Sequence, residues 1–137
     1  MDAHIIEELS KCEWIEQGKN LVITGKTSSV KRYLANALCI CALRQFKTVR
    51  YIKASQLINE LSKAEKLDNY QEELSIYAGY DLLVVDDFGL MSMDVNKCRN
   101  LFEVFDSRDP HKSILVIFQF PVSSWYDMFQ DHTYAEA

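Results

Sequence analysis

Apolar residues recur along this chain in two rhythms that alternate from one segment to the next. In residues 3–17, Ile5, Ile6, Leu9 and then Cys12 or Trp14 fall close to helical spacing, and Gly18 offers a stop. Residues 20–24 (NLVIT) form a short apolar run ended by Gly25, the pattern of a buried strand followed by a loop. Residues 31–45 return to the helical rhythm, with a stripe of Leu34, Ala35, Leu38, Ala42 and Leu43. The run TVRYI at 48–52 predicts a second strand, and a helix beginning at Ser55 carries Leu57, Ile58, Leu61 and Ala64. Residues 63–73 are charged, with a break near Asp68 and Asn69, before residues 74–77 resume a helical pattern. A third strand at 80–85 (YDLLVV) runs into Asp86 and Asp87.

The next helix, over 94–105, places Cys98, Leu101, Phe102 and Phe105 on one face, and SILVIFQF at 113–120 is a fourth strand. Pro121 closes it, because proline cannot continue the ladder, and 122–129 starts another helix. Strands apolar on both faces that alternate with helices imply an α/β fold, a parallel sheet with helices on both sides. There is no internal repeat, linker or low-complexity tract, so one domain over 1–137 accounts for the chain.

Composition narrows the function classes. A chain that is 48% hydrophobic and 26% charged is expected to bury a real core, and a net charge of -5 gives no general attraction to DNA phosphates. Of the four cysteines, only Cys39 and Cys41 are close in sequence, and residues two apart on a helix do not share a face. Without a C-x-x-C pair or a histidine cluster, metal chemistry at these thiols is not indicated, and buried or incidental thiols are expected. The acidic, amphipathic N-terminus lacks the basic flank and long apolar run of a signal peptide, and no apolar stretch approaches a membrane span. A reduced, cytoplasmic protein is the expectation.

Chemistry concentrates in the loop after the first strand. Gly25, Lys26, Thr27, Ser28, Ser29, Val30, Lys31 and Arg32 have the length of the phosphate-binding pattern G-x-x-x-x-G-K-[ST] with two positions changed. In an intact loop, backbone N–H groups and a helix N-terminus surround the phosphates, the lysine reaches the terminal phosphates and the hydroxyl binds magnesium. Here Val30 stands at the second glycine and Arg32 at the hydroxyl. A β-branched residue at a glycine position costs about 1–3 kcal/mol if a strained backbone is kept, which lowers affinity by about tenfold or more. Arginine removes a metal-ligand oxygen and sets a positive charge in its place, from which it can also contact phosphate.

The third strand strengthens this reading. An apolar strand ending in Asp86-Asp87 has the Walker B form, and in doubly wound sheets ligands gather at the carboxyl ends of strands. Asp86 is then the candidate magnesium ligand and Asp87 the candidate residue that orients or deprotonates the attacking water.

The stretches at 14–25 (WIEQGKNLVITG), 33–38 (YLANAL), 49–51 (VRY), 82–90 (LLVVDDFGL) and 121–125 (PVSSW) together resemble the IstB transposition helpers. These are relatives of the DnaC/DnaI helicase loaders and members of the AAA+ ATPases. The resemblance runs in one register from about Cys12 to Ala137. It implies ATP as ligand, assembly on DNA as an oligomer, and delivery or activation of a transposase or a replicative helicase. It also implies that Gln119, in the fourth strand, lies in the nucleotide site, although Phe118 replaces the small polar residue usual before it.

The family's subunit-bridging arginine, its fifth strand and its lid are expected beyond residue 137, and its partner-binding region before Met1. With the family's strand order five-one-four-three-two, the run 21–23 is then expected at a sheet edge. The function expected is ATP binding with weak or no hydrolysis and a weakened hold on magnesium. The alternative is a non-enzymatic interaction module that keeps the fold without nucleotide. Elsewhere, Trp14 and Ile15 read as core rather than as an adenine border. His4, His111 and His132 read as surface residues, Arg108 and Lys112 as solvated charge, and Lys26, Lys31 and Arg32 as the one basic cluster placed for an anion.

Overall fold

The computed structural model describes residues 3–24, 28–88 and 95–118. In chain order the elements are α1 (Ala3–Ser10), α2 (Glu13–Glu16), β1 (Leu21–Ile23), α3 (Ser28–Arg44), β2 (Val49–Lys53), α4 (Ala54–Lys66), α5 (Tyr70–Ala78), β3 (Leu82–Phe88), α6 (Val95–Asp106) and β4 (Ser113–Phe118). The four strands form one parallel sheet in the order β1-β4-β3-β2, so β3 is interior and β1 lies at an edge of the described sheet.

Strand alternation sorts the core into two layers. Leu82 and Val84 of β3 with Leu115 and Ile117 of β4 pack against Leu34, Ala35, Leu38 and Ala42 of α3 and Trp14 and Ile15 of α2. Leu83 and Val85 point the other way, onto Leu57, Ile58 and Leu61 of α4, Tyr77 of α5 and Leu101 and Val104 of α6. The sheet is therefore covered on both faces, as its uninterrupted apolar strands demand. Leu57, Leu61, Leu82 and Leu83 are wholly buried, each a gain of roughly 1.5–3 kcal/mol over an exposed side chain.

Several boundaries differ from the sequence pattern for local reasons. The expected helix over 3–17 is two helices, because Cys12 takes a left-handed conformation between α1 and α2. Gly18 does end α2: its φ is +70°, its N–H donates to the Ile15 carbonyl and that of Lys19 to the Trp14 carbonyl, the paired bonds of a left-handed helix terminus. Phe46 and Asp68 end α3 and α4 in the same way, with φ of 64° and 63°. Leu43, grouped with the α3 stripe, is exposed, since it lies one position round from the last buried residue, Ala42.

The β3 strand extends through both aspartates to Phe88. Asp94, the end of the fourth strand at 119–120, Pro121 and the helix expected over 122–129 lie outside the described residues.

Arg108, expected as solvated charge, is buried. It donates to the carbonyls of Tyr77, Tyr80 and Ser113, tying the end of α5 to the start of β4. Burial pushes its guanidinium down to about 10, still charged at neutral pH. Lys112 is partly buried, on the Gly79 carbonyl and Asp81. Trp14 and Ile15 are core residues as expected, and His4 and His111 are exposed. Cys12, Cys39 and Cys98 are buried free thiols and Cys41 is half-buried. Among the described residues no acidic, cysteine or histidine cluster is placed to hold a metal, and no helix is long and apolar enough to cross a membrane.

Candidate functional site

The site lies where the first turns of α3 meet the carboxyl ends of β3 and β4. Asp86 follows Leu82 and Val84 at two-residue spacing, so strand geometry alone turns it to the α3 side of the sheet. Asp87 would face the opposite side in a regular strand. Instead the register slips between Val85 and Phe88, and Asp87 takes a φ of 54°. This bulge swings the second carboxylate back toward α3. Phe88 resumes the opposite face and packs on Phe118, with ring centroids 4.8 Å apart.

Two adjacent α3 residues meet this strand end. Lys31 is buried, and its Nζ donates to the Phe118 carbonyl at the end of β4, 2.6 Å away. Arg32 reaches β3: Nε donates to Asp86 Oδ2 at 3.2 Å, and Nη2 donates to Asp87 Oδ1 at 2.9 Å and Oδ2 at 3.0 Å. Asp87, first through its hydrogen bonds and then through its charge, holds the guanidinium above the usual arginine range, with Asp86 adding to it. Asp86 has two further donors, the Asp87 backbone N–H on Oδ1 at 2.7 Å and the Tyr51 hydroxyl on Oδ2 at 2.5 Å. Burial, reinforced by Asp86, pushes the Tyr51 phenol up, so it stays a donor.

The structure thus brings Lys31, Arg32, Asp86 and Asp87 together, four of the residues singled out from sequence. Val30 and Ser29 are exposed in the first turn of α3, and Ser28 begins that helix. The strain expected at Val30 is absent, because the residue has helical backbone and its side chain, 54% exposed, points to open surface. Gly25, Lys26, Thr27 and Gln119 lie outside the described residues. Tyr51 was missed in the sequence, where it reads as a plain strand aromatic. Its signal is the register, since Tyr51 pairs with Val84 and so shares a face with Asp86 two residues on.

The family model described as IstB-like ATP binding protein matches residues 1–137. The chain is 34% identical to the insertion-sequence protein y4uH of Sinorhizobium fredii, named for ATP binding, over 99% of this chain and 55% of that protein. It is 32% identical to the protein named for ATP binding in insertion sequence IS1162 of Pseudomonas fluorescens, over 90% of this chain and 54% of that one. The chain therefore spans about half the length of these relatives.

Among solved structures, domain III of the Thermotoga maritima replication initiation protein DnaA superposes with a TM-score of 0.78 at 22% identity, over 96% of this chain and 55% of that one. The DnaC helicase loader gives 0.69 at 18% identity, over 84% of this chain and 67% of that one. At such identities the likeness is one of fold.

Proposed function

We propose a function from one premise: the chain belongs to the family of IstB-like ATP binding proteins. Its fold is that of the AAA+ P-loop domains, a parallel sheet with helices on both faces. On that premise the corner between α3, β3 and β4 is an ATP site, with residues 25–32 as its phosphate loop, Gln119 beside it, and Asp86 and Asp87 as its Walker B pair. The observation that carries this is the placement of Lys31 and Arg32 over the carboxyl ends of β4 and β3, where such sheets take their ligands.

Magnesium belongs to the usual form of such a site, and the residues present do not fit it. The position of the metal-binding hydroxyl holds Arg32, and all four oxygens of Asp86 and Asp87 already accept hydrogen bonds. Asp87 has both oxygens on a guanidinium, which leaves it poorly placed to take a proton from water. The function is therefore weak ATP binding with little or no hydrolysis, in one domain over 1–137. The partner is a transposase or replicative helicase, with DNA reached only through an oligomer, in the cytoplasm.

A second reading, an interaction module that keeps the fold without nucleotide, is favoured by the internal partners that both cations already have. A nucleotide titration separates the two. For the first reading, turnover of ATP is expected far below about 1 per second, the low end of ordinary enzymes, and Asp87→Asn changes little. Turnover at ordinary rates that Asp87→Asn abolishes overturns it.

A further inference from the structure

We infer that Arg32 is the resident cation of this site: held by Asp86 and Asp87, its guanidinium stands in for the divalent metal, so the chain takes nucleoside polyphosphate free of metal. The ligand named here rests on the nucleotide-binding reading above, whereas the replacement of the metal rests on the contacts alone.

Asp86 and Asp87 bring two negative charges, and Lys31 and Arg32 bring two positive ones to the same corner. Among the described residues these four charges balance without an ion, and with no nucleotide bound a divalent cation would add two uncompensated charges beside a guanidinium. In an intact loop the same place holds a neutral hydroxyl, and the metal supplies the balance.

A guanidinium presents five N–H donors in a planar fork. Arg32 uses Nε and Nη2 on the carboxylates, which leaves the Nη1 edge out of those bonds. Its side chain is 44% exposed, against 3% for Asp86 and 15% for Asp87. The clasp is therefore covered on its carboxylate side and open on the other, where a phosphate oxygen can be met. Tyr51 and the Asp87 N–H fix Asp86 from the remaining directions, so its orientation does not depend on an ion.

The test is calorimetric titration of the wild-type chain and Arg32→Ser with ADP and ATP, in excess EDTA or in excess Mg2+. Wild-type Kd is expected to change by no more than about twofold on chelation, and that of Arg32→Ser by about tenfold or more. Wild-type binding that weakens tenfold on chelation overturns the inference and leaves the nucleotide reading standing.

If neither chain binds nucleotide, that reading fails, and Mn2+ alone, followed by electron paramagnetic resonance and by melting temperature, still decides the metal question. Mn2+ held by Arg32→Ser with a raised melting temperature, and not by wild type, supports the replacement. Mn2+ held equally by both overturns it. Mn2+ held by neither also does, since the carboxylates then have no metal for Arg32 to replace. Arg32→Gln serves in the same measurements if the serine variant does not fold.

Discussion

Arg32 Nη2 donates to both carboxylate oxygens of Asp87, at 2.9 and 3.0 Å, from a helix turn 55 residues away in the sequence. The two side chains meet only because the bulge at Asp87 reverses the strand alternation, so the ion pair and the bulge are expected to be energetically coupled. A double-mutant cycle of Arg32→Ala and Asp87→Ala, read by urea denaturation, should be non-additive, the second substitution costing less once the first is made. Because the guanidinium faces solvent on one side, molar salt should shrink that coupling. Additive losses that salt does not affect would show that the pair adds nothing to the fold.

Gly18 carries a different constraint. Its φ is +70°, and a Cβ built there would lie 1.5 Å from the backbone carbonyl oxygen of Pro110. Neither the left-handed turn nor the backbone contact can yield cheaply, so Gly18→Ala should destabilise the chain by about 2 kcal/mol or more. The turn also sets Asn20, whose Oδ1 accepts the Ile114 N–H and pins the start of β4. Equal urea midpoints for Gly18→Ala and wild type would mean that the 110 loop moves freely.

The two-sided sheet and the gathering of Lys31, Arg32, Asp86 and Asp87 at its carboxyl end were legible in the sequence because both are written locally. Runs such as 82–85 are buried on both faces, and a strand buried that way has no polar alternation to confuse it. The order β1-β4-β3-β2 agrees with the order that the resemblance implied for the corresponding four strands.

What escaped the sequence depends on contacts distant along the chain. Nothing local says that Arg108 turns inward onto three carbonyls, that Tyr51 reaches Asp86, or that Asp87 leaves the strand pattern. The expected strain at Val30 failed for a simpler reason: α3 begins at Ser28, earlier than the pattern placed it, so Val30 is already helical.

Phe46 ends α3 in the left-handed conformation normally given to glycine, with φ of 64°, and its ring is 95% exposed. The Phe46 N–H donates to the Leu43 carbonyl and that of Lys47 to the Ala42 carbonyl, bonds that any residue can make there. Phe46→Gly removes the steric cost of the left-handed Cβ and gives up little packing. It should stabilise the chain by about 0.5–1 kcal/mol and raise the melting temperature by a few degrees, after the extra unfolded-state entropy of glycine is charged. A lower melting temperature would mean that the ring is covered in solution.

Asp81 joins the start of β3 to β2 and should give this fold an acid-sensitive tie. Its Oδ2 accepts the Thr48 backbone N–H at 2.8 Å and the Thr48 hydroxyl at 3.2 Å, while the Asp81 N–H donates back to that hydroxyl at 2.9 Å. Lys112 Nζ lies 3.4 Å from Oδ1. The Thr48 backbone bond is the largest influence and Lys112 a lesser one, and together they hold the carboxyl below its ordinary range against the opposing effect of burial. A carboxylate depressed in the folded state contributes stability that is fully present above its unfolded pKa, about 4, and lost as pH falls through the lower folded value. Stability should therefore decline from about pH 5 downward, and Asp81→Asn should flatten that decline, because the amide keeps an acceptor for Thr48 but does not titrate. Lys112→Met should leave most of the slope in place, since the backbone bond dominates, and added salt should erode only the lysine's share. Urea midpoints measured across this acid range decide the matter: a pH profile for Asp81→Asn that overlays the wild type would show that the tie lies elsewhere.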